Sequence, residues 1–103
     1  MLETFIRALP HTYRDVHVSD GTSIRLIITG EAGGEWILLR DKGQWKLGKA
    51  TAHKAHASVI LDQETAWRLF TKGMSKEEAL PHATIGGDYS LGEIVLNTVS
   101  IIA

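Results

Sequence analysis

Residues 62–74, DQETAWRLFTKGM, constrain the fold more than any other stretch of the chain. Asp62 is placed to cap a first helical turn, and Glu64 puts negative charge where the helix dipole favours it. Ala66, Leu69 and Phe70 recur at i, i+3 and i+4, and Trp67 with Phe70 widens that stripe. Arg68 and Lys72 lie off the stripe, and Gly73 is a natural stop. The spacing predicts a helix with one broad apolar face, and such a face requires a partner surface. Core packing is the plain reading of Trp67 and Phe70; the alternative is that one of them lines a ligand cavity.

The partner surface is to be sought in the preceding residues, where the period changes from helical to alternating. Residues 2–9 first give a short amphipathic helix, which Pro10 should end. Residues 13–19 then alternate through Val16 and Val18, and Asp20-Gly21 is a hairpin signal into residues 23–29, with Ile24, Leu26 and Ile28 on one face. Ile27 on the other face suggests that it too is partly covered. The glycine-rich turn at 30–34 fits neither G-x-G-x-x-G nor a P-loop, so a plain hairpin loop is expected. Residues 35–40 and 44–49 continue the pattern as a meander, with Trp36 and Leu38 opposite Ile37 and Leu39 on the first strand and Trp45 and Leu47 on one face of the second. A connection over 50–56 leads to a strand at 57–61.

Beyond the anchor helix, Ser75-Lys76-Glu77-Glu78 matches a capping box, and Pro81 closes the short helix it starts. A short strand at 83–85 and a turn at 86–88 follow. Asp88 or Ser90 then caps a last helix carrying Leu91, Ile94, Val95, Val99 and Ile102, with Leu96 and Ile101 off that line. The expected class is α+β: a five-stranded, largely antiparallel sheet with helices packed on one face.

With 103 residues the chain is expected to be a single domain, long enough for one core. A net charge of −1 argues against a nucleic-acid or anionic-membrane footprint. No apolar run reaches the length of a membrane span, and residues 1–9 lack the apolar core of a secretory signal. The absence of cysteine excludes a disulfide framework, a thiolate nucleophile and a cysteine zinc site, and fits the cytoplasm.

The polar inventory offers no self-sufficient active site. His53 and His56 stand at i, i+3, but no acidic residue or third histidine completes a ligand set such as H-E-x-x-H. His11, His17 and His82 read as surface or boundary residues. Ser75 and Ser90 are explained as caps, and each prominent carboxylate by a turn or a helix start. No catalytic residue, metal site or cofactor is therefore expected.

The stretches TAWRLFTKGMSKEEA and ATIGGDYSLGEIVLNTVSIIA resemble the C-terminal domain of the mycothiol-dependent maleylpyruvate isomerase family. FIRALPHTYRDV and ITGEAGGEWILLRDKGQWKL extend the likeness over nearly the whole chain. The resemblance implies a sterol-carrier-protein-like fold. It also implies that metal ligands belong to an N-terminal DinB-like bundle, for which these residues hold no counterpart. Where the family is expected to supply a basic group, just before residues 85–88, this chain has His82 and Ala83. The resemblance thus leads to a non-catalytic accessory module acting with a DinB-like metal-binding chain. The alternative is sterol-carrier-like binding of a small apolar or lipid ligand between sheet and helices. Trp67, Phe70, Met74, Leu96 and Trp36 are the candidate pocket residues, and a homodimer is a further arrangement open to such a domain.

Overall fold

The computed structural model describes residues 6–31, 33–49, 55–71 and 74–97. Several expectations lie outside these: Leu2 and Phe5 of the first helix, His53, the Lys72-Gly73 stop, and Val99, Ile101 and Ile102 of the last helix.

Five strands form one sheet: β1 (Ser23–Thr29), β2 (Gly34–Asp41), β3 (Gln44–Lys49), β4 (Ala57–Asp62) and β5 (Thr84–Gly87), in the order β3-β2-β1-β4-β5. β1–β2, β2–β3 and β4–β5 pair antiparallel, while β1–β4 is parallel. The sheet is therefore mixed but largely antiparallel, as expected. The glycine-rich turn is a hairpin loop: Ile28 pairs with Gly34 across it, and Gly30 takes a φ of +111°.

The register decides which side chains meet the helices. Ile24 lies between Leu38 and Ala57, Leu26 between Trp36 and Val59, and Ile28 between Gly34 and Leu61. These strand residues share one core with Leu9, Tyr13, Leu69, Phe70, Val95 and Leu96 of the helical layer. Ile27, Ile37, Leu39 and Ile60 occupy the alternate positions and none belongs to that core.

β4 runs straight into α2 (Gln63–Thr71), and Asp62 is both the last strand residue and the cap. Its carboxylate accepts from the Thr65 amide at 3.1 Å and also from the Thr65 hydroxyl. α2 buries Thr65, Ala66, Leu69 and Phe70, which fixes its apolar face as predicted. Trp67 departs from the prediction: it stands 42% exposed. At about 100° per residue, position 67 falls outside the arc that 65, 66, 69 and 70 define, so it cannot widen the buried stripe.

The first described helical turn, α1 (Leu9–Thr12), corrects a second expectation. Pro10 does not end a helix; it sits in the first turn, where a missing amide has no helical partner to lose. Residues 13–19 form no strand. The Val16 amide donates to the Tyr13 carbonyl at 2.9 Å, and the Val16 carbonyl accepts from Trp45 Nε1 at 3.2 Å, so neither is free for a ladder. Asp20-Gly21 still forms a tight turn, with the Thr22 amide donating to Ser19, but it leads into β1 from an irregular segment.

The Ser75 capping box forms as read, at the start of α3 (Lys76–Ala79), and a 3-10 turn with Pro81 (Leu80–His82) follows. The short strand runs through Gly86 and Gly87 rather than stopping before them. At Gly87, φ is +70° and a Cβ would fall 2.3 Å from the His56 carbonyl, so glycine permits this close approach to β4. Asp88 caps α4 (Tyr89–Gly92) through the Leu91 amide at 3.1 Å. Ser90 lies inside that helix and forms no second capping box. A 3-10 stretch, Glu93–Asn97, buries Val95 and Leu96.

Candidate functional site

The five candidate pocket residues differ widely in burial. Phe70 and Leu96 are buried in the core, Met74 and Trp36 are partly buried against it, and Trp67 is exposed. Two regions collect the residues that remain accessible.

The first is the helix-facing side of β2 and β3. Trp36, Leu38 and Arg40 alternate onto this face from β2, opposite Leu47 and Trp45 of β3. Leu38 and Trp45 are buried, yet Trp36 and Leu47 are only partly covered. Trp45 is held firmly. Its ring lies 5.2 Å from that of Tyr13, and its Nε1 is satisfied by Val16. Tyr13, at the end of α1, is itself fully buried and its hydroxyl donates to the Leu91 carbonyl at 2.7 Å. Burial pushes its phenol well above the usual range. The Arg40 guanidinium lies over Trp45, 5.6 Å from the ring centroid. Sequence reasoning passed over Arg40. The signal was present, since an arginine two residues after Leu38 and four after Trp36 places a cation on the apolar face of a strand.

The second region is a cleft of about 270 Å³ lined by Asp62, Glu64, Thr65, Arg68, Met74 and His82. Met74, a predicted pocket residue, and His82, where the resemblance implies a basic group, meet here. The cleft is polar and largely committed to its own structure. Arg68 pairs with Glu64 at 2.7 Å. The hydrogen bond from the Thr65 hydroxyl, followed by backbone amides at the helix start, holds the Asp62 carboxyl below the usual carboxylate range.

Among the described residues no group of three or more histidines and carboxylates could hold a metal ion. His56 serves the fold, its Nδ1 accepting from the Ser23 amide at 3.2 Å. No described helix is long and apolar enough to cross a membrane.

No family model matches the chain, and no curated protein matches it. Solved structures do. Palmitated SCP2L2 from Aedes aegypti superposes with a TM-score of 0.70 at 19% identity, over 92% of this chain and 90% of that one. Crystalline sterol carrier protein 2 like 2 from the same mosquito gives 0.68 at 17% identity, over 93% and 94%. The chain has a sterol-carrier-protein-2-like fold. The apo form of sterol carrier protein 2 from Yarrowia lipolytica agrees, with a TM-score of 0.55 at 13% identity over 94% of this chain and 74% of that one. In this sterol-carrier-like fold the half-covered strip of β2 and β3 lies between the two layers, whereas the polar cleft lies at the strand-to-helix junction.

Proposed function

We propose that this chain binds a small apolar or lipid ligand between its sheet and its helical layer, over the strip of Trp36, Leu38 and Leu47. The observation that carries the reading is the incomplete cover of Trp36 and Leu47 on the side of the sheet where Ile24, Leu26, Ile28, Val59 and Leu61 are sealed. A palmitated protein of the same fold supports it. The driving force is simple. Each Å² of apolar surface removed from water is worth about 25 cal/mol, and an acyl chain laid on this strip removes its own surface together with that of Trp36 and Leu47. The strip is mostly apolar, as ligand sites are. No covalent step is assigned to it.

Native mass spectrometry of the purified, delipidated protein incubated with palmitate tests the reading. A one-to-one adduct is expected, and Trp36→Ala should reduce its yield about tenfold with the fold intact. Delipidated protein that takes up no palmitate would remove the proposal.

A second reading keeps the chain as an accessory module for a DinB-like metal-binding chain. It is favoured by the other face of the sheet, where Leu39 is 38% exposed beside Ile37 and Lys46, with Ile27 and Ile60 nearby. Here a Leu39→Glu variant should lose co-elution with the partner chain while still taking up palmitate. Self-association through the same face, abolished by the same substitution, would replace the partner with a second copy.

A further inference from the structure

The open face of the sheet is built around a quadrilateral of side chains. Arg25 and Ile27 are alternate residues of β1, and opposite them on β2 stand Ile37 and Glu35. The two diagonals are unlike. One joins Ile27 to Ile37; the other joins Arg25 to Glu35, guanidinium to carboxylate at 3.2 Å. Ile60 extends the apolar diagonal beside Ile27 on β4, and Leu39, 38% exposed, extends it beyond Ile37 on β2. None of these four apolar residues belongs to the core beneath the helices.

An apolar band crossed by an ion pair restricts what can cover it. The next pair on this face, Lys46–Asp41, is balanced in the same way, and Asp62 at the end of β4 is engaged in the cap of α2. A partner carrying one sign of charge would meet a like charge wherever it met an opposite one. A second copy of the face would not. In a two-fold interface residue i meets residue j as j meets i. A two-fold axis lying in the interface along the Ile27–Ile37 diagonal sets each isoleucine against its own copy. It also sets each end of the Arg25–Glu35 pair against the opposite end. Neighbouring strands are about 4.8 Å apart and alternate residues about 6.8 Å, so this diagonal is inclined about 35° to the strands and the two sheets cross at about 70°, toward the orthogonal class of sheet packing. On a flat sheet the same rotation carries Leu39 towards Gly48 of the second copy. Gly48 pairs with Ile37 from the edge strand β3, and a Cβ there would meet nothing within 4 Å, which leaves room for the leucine. Within one chain the exposed Arg25–Glu35 pair contributes little to stability. Shared between two copies, it sets their register.

We propose that the open face docks a second copy of this chain, in a two-fold, sheet-on-sheet dimer with Ile27 and Ile37 on the axis and Arg25 of each copy facing Glu35 of the other. The inference is independent of the ligand reading, whose strip lies on the covered side of the sheet. It gives the open face to this chain itself in place of a DinB-like one.

Sedimentation equilibrium from about 10 μM to about 1 mM measures the association, with circular dichroism confirming each fold. Wild type should dimerise within that range. Gly48→Glu meets open space in the single chain but sets a carboxylate beneath Leu39 of the second copy, and should weaken dimerisation about tenfold or more. Arg25→Glu and Glu35→Arg should each weaken self-association about tenfold, because like charges then face one another. An equimolar mixture of these two variants should regain a dimer of nearly wild-type affinity, since each pair of like charges then faces an opposite pair. Wild type that stays monomeric at about 1 mM overturns the inference. So does a Gly48→Glu protein that dimerises as wild type does, or a pair of charge-reversed variants that do not recover on mixing. Wild type that is monomeric alone but co-elutes with a DinB-like chain also overturns it and returns the face to that chain. Palmitate uptake by the monomeric variants tests the ligand reading separately, so either can fail without the other.

Discussion

The two faces of the sheet carry the same kinds of side chain and have opposite fates. On one, Ile24, Leu26, Ile28, Val59 and Leu61 are no more than 3% exposed and pack beneath the helices. On the other, Ile27, Ile37 and Ile60 are half-buried by their neighbours in the sheet, and Leu39 is more exposed still. Ile27 pairs with Ile60 across β1 and β4, one apolar residue beside another with no core above them. The surroundings differ in charge as well. The open face carries the ion pairs Arg25–Glu35 and Lys46–Asp41, each at 3.2 Å and exposed enough to be worth little in stability. The covered face carries Arg40, stacked on Trp45. Paired charges on an apolar surface suit a surface that stays wet or meets another protein.

The sharpest way to break this comparison is to truncate neighbours on one strand. Leu61 and Ile60 adjoin in β4 and point to opposite faces. Leu61→Ala should cost about 2–5 kcal/mol in urea unfolding, because it opens a cavity under the helices. Ile60→Ala should cost about 1 kcal/mol, the usual effect where no core is disturbed. Equal losses would mean that the second face is covered as fully as the first.

A smaller effect probes the polar seam inside the covered layer. Tyr13 donates its hydroxyl to the Leu91 carbonyl across 78 residues of chain, joining α1 to α4. Tyr13→Phe should cost about 1–2 kcal/mol at neutral pH. The buried phenol is raised, so the folded state keeps its proton where the unfolded state gives it up, near pH 10. That contribution is whole below about pH 10 and falls as pH climbs above it. Wild type should therefore converge on Tyr13→Phe in alkaline urea titrations. A gap that stays constant from neutral pH upward would show the phenol to be free to ionise in the folded protein.

Much of this architecture could be read from the chain, and the misses have physical causes. Capping and period are local, so Asp62, the Ser75 capping box and the apolar face of α2 follow from the residues that form them. The alternation of Ile24, Leu26 and Ile28 gives the covered face for the same reason. Residues 13–19 alternate too, but Tyr13 is drawn into the core and Val16 is used by Trp45, contacts set by residues far along the chain. The parallel pairing of β1 with β4 is likewise a long-range choice, since tight turns specify only their own hairpins. The candidate site was legible in part. Trp36 lies in the strip and Met74 in the cleft, but which candidates stay accessible depends on neighbours from distant parts of the chain, and those are invisible until the fold is placed.

The smallest expected effect extends the comparison from the sheet to α2. Phe70 and Trp67 are three residues apart on this helix, and size alone would rank the tryptophan as the greater contributor to the core. Their exposures reverse that order, at 1% for Phe70 and 42% for Trp67. Phe70→Ala should resemble Leu61→Ala. Trp67→Ala should change stability by about 0.5 kcal/mol or less, as surface substitutions do, with alanine's better helix propensity offsetting part of any lost contact. It should also leave palmitate uptake unchanged, because Trp67 belongs neither to the core nor to the β2–β3 strip. Urea unfolding and the mass-spectrometric uptake assay, run on the same preparation, check both statements. A loss on the order of 3–5 kcal/mol would return Trp67 to the core. A loss of uptake without a loss of stability would move the ligand from the strip to the outer side of α2, and the contrast between a sealed and an open side of the molecule would have to be redrawn around that helix.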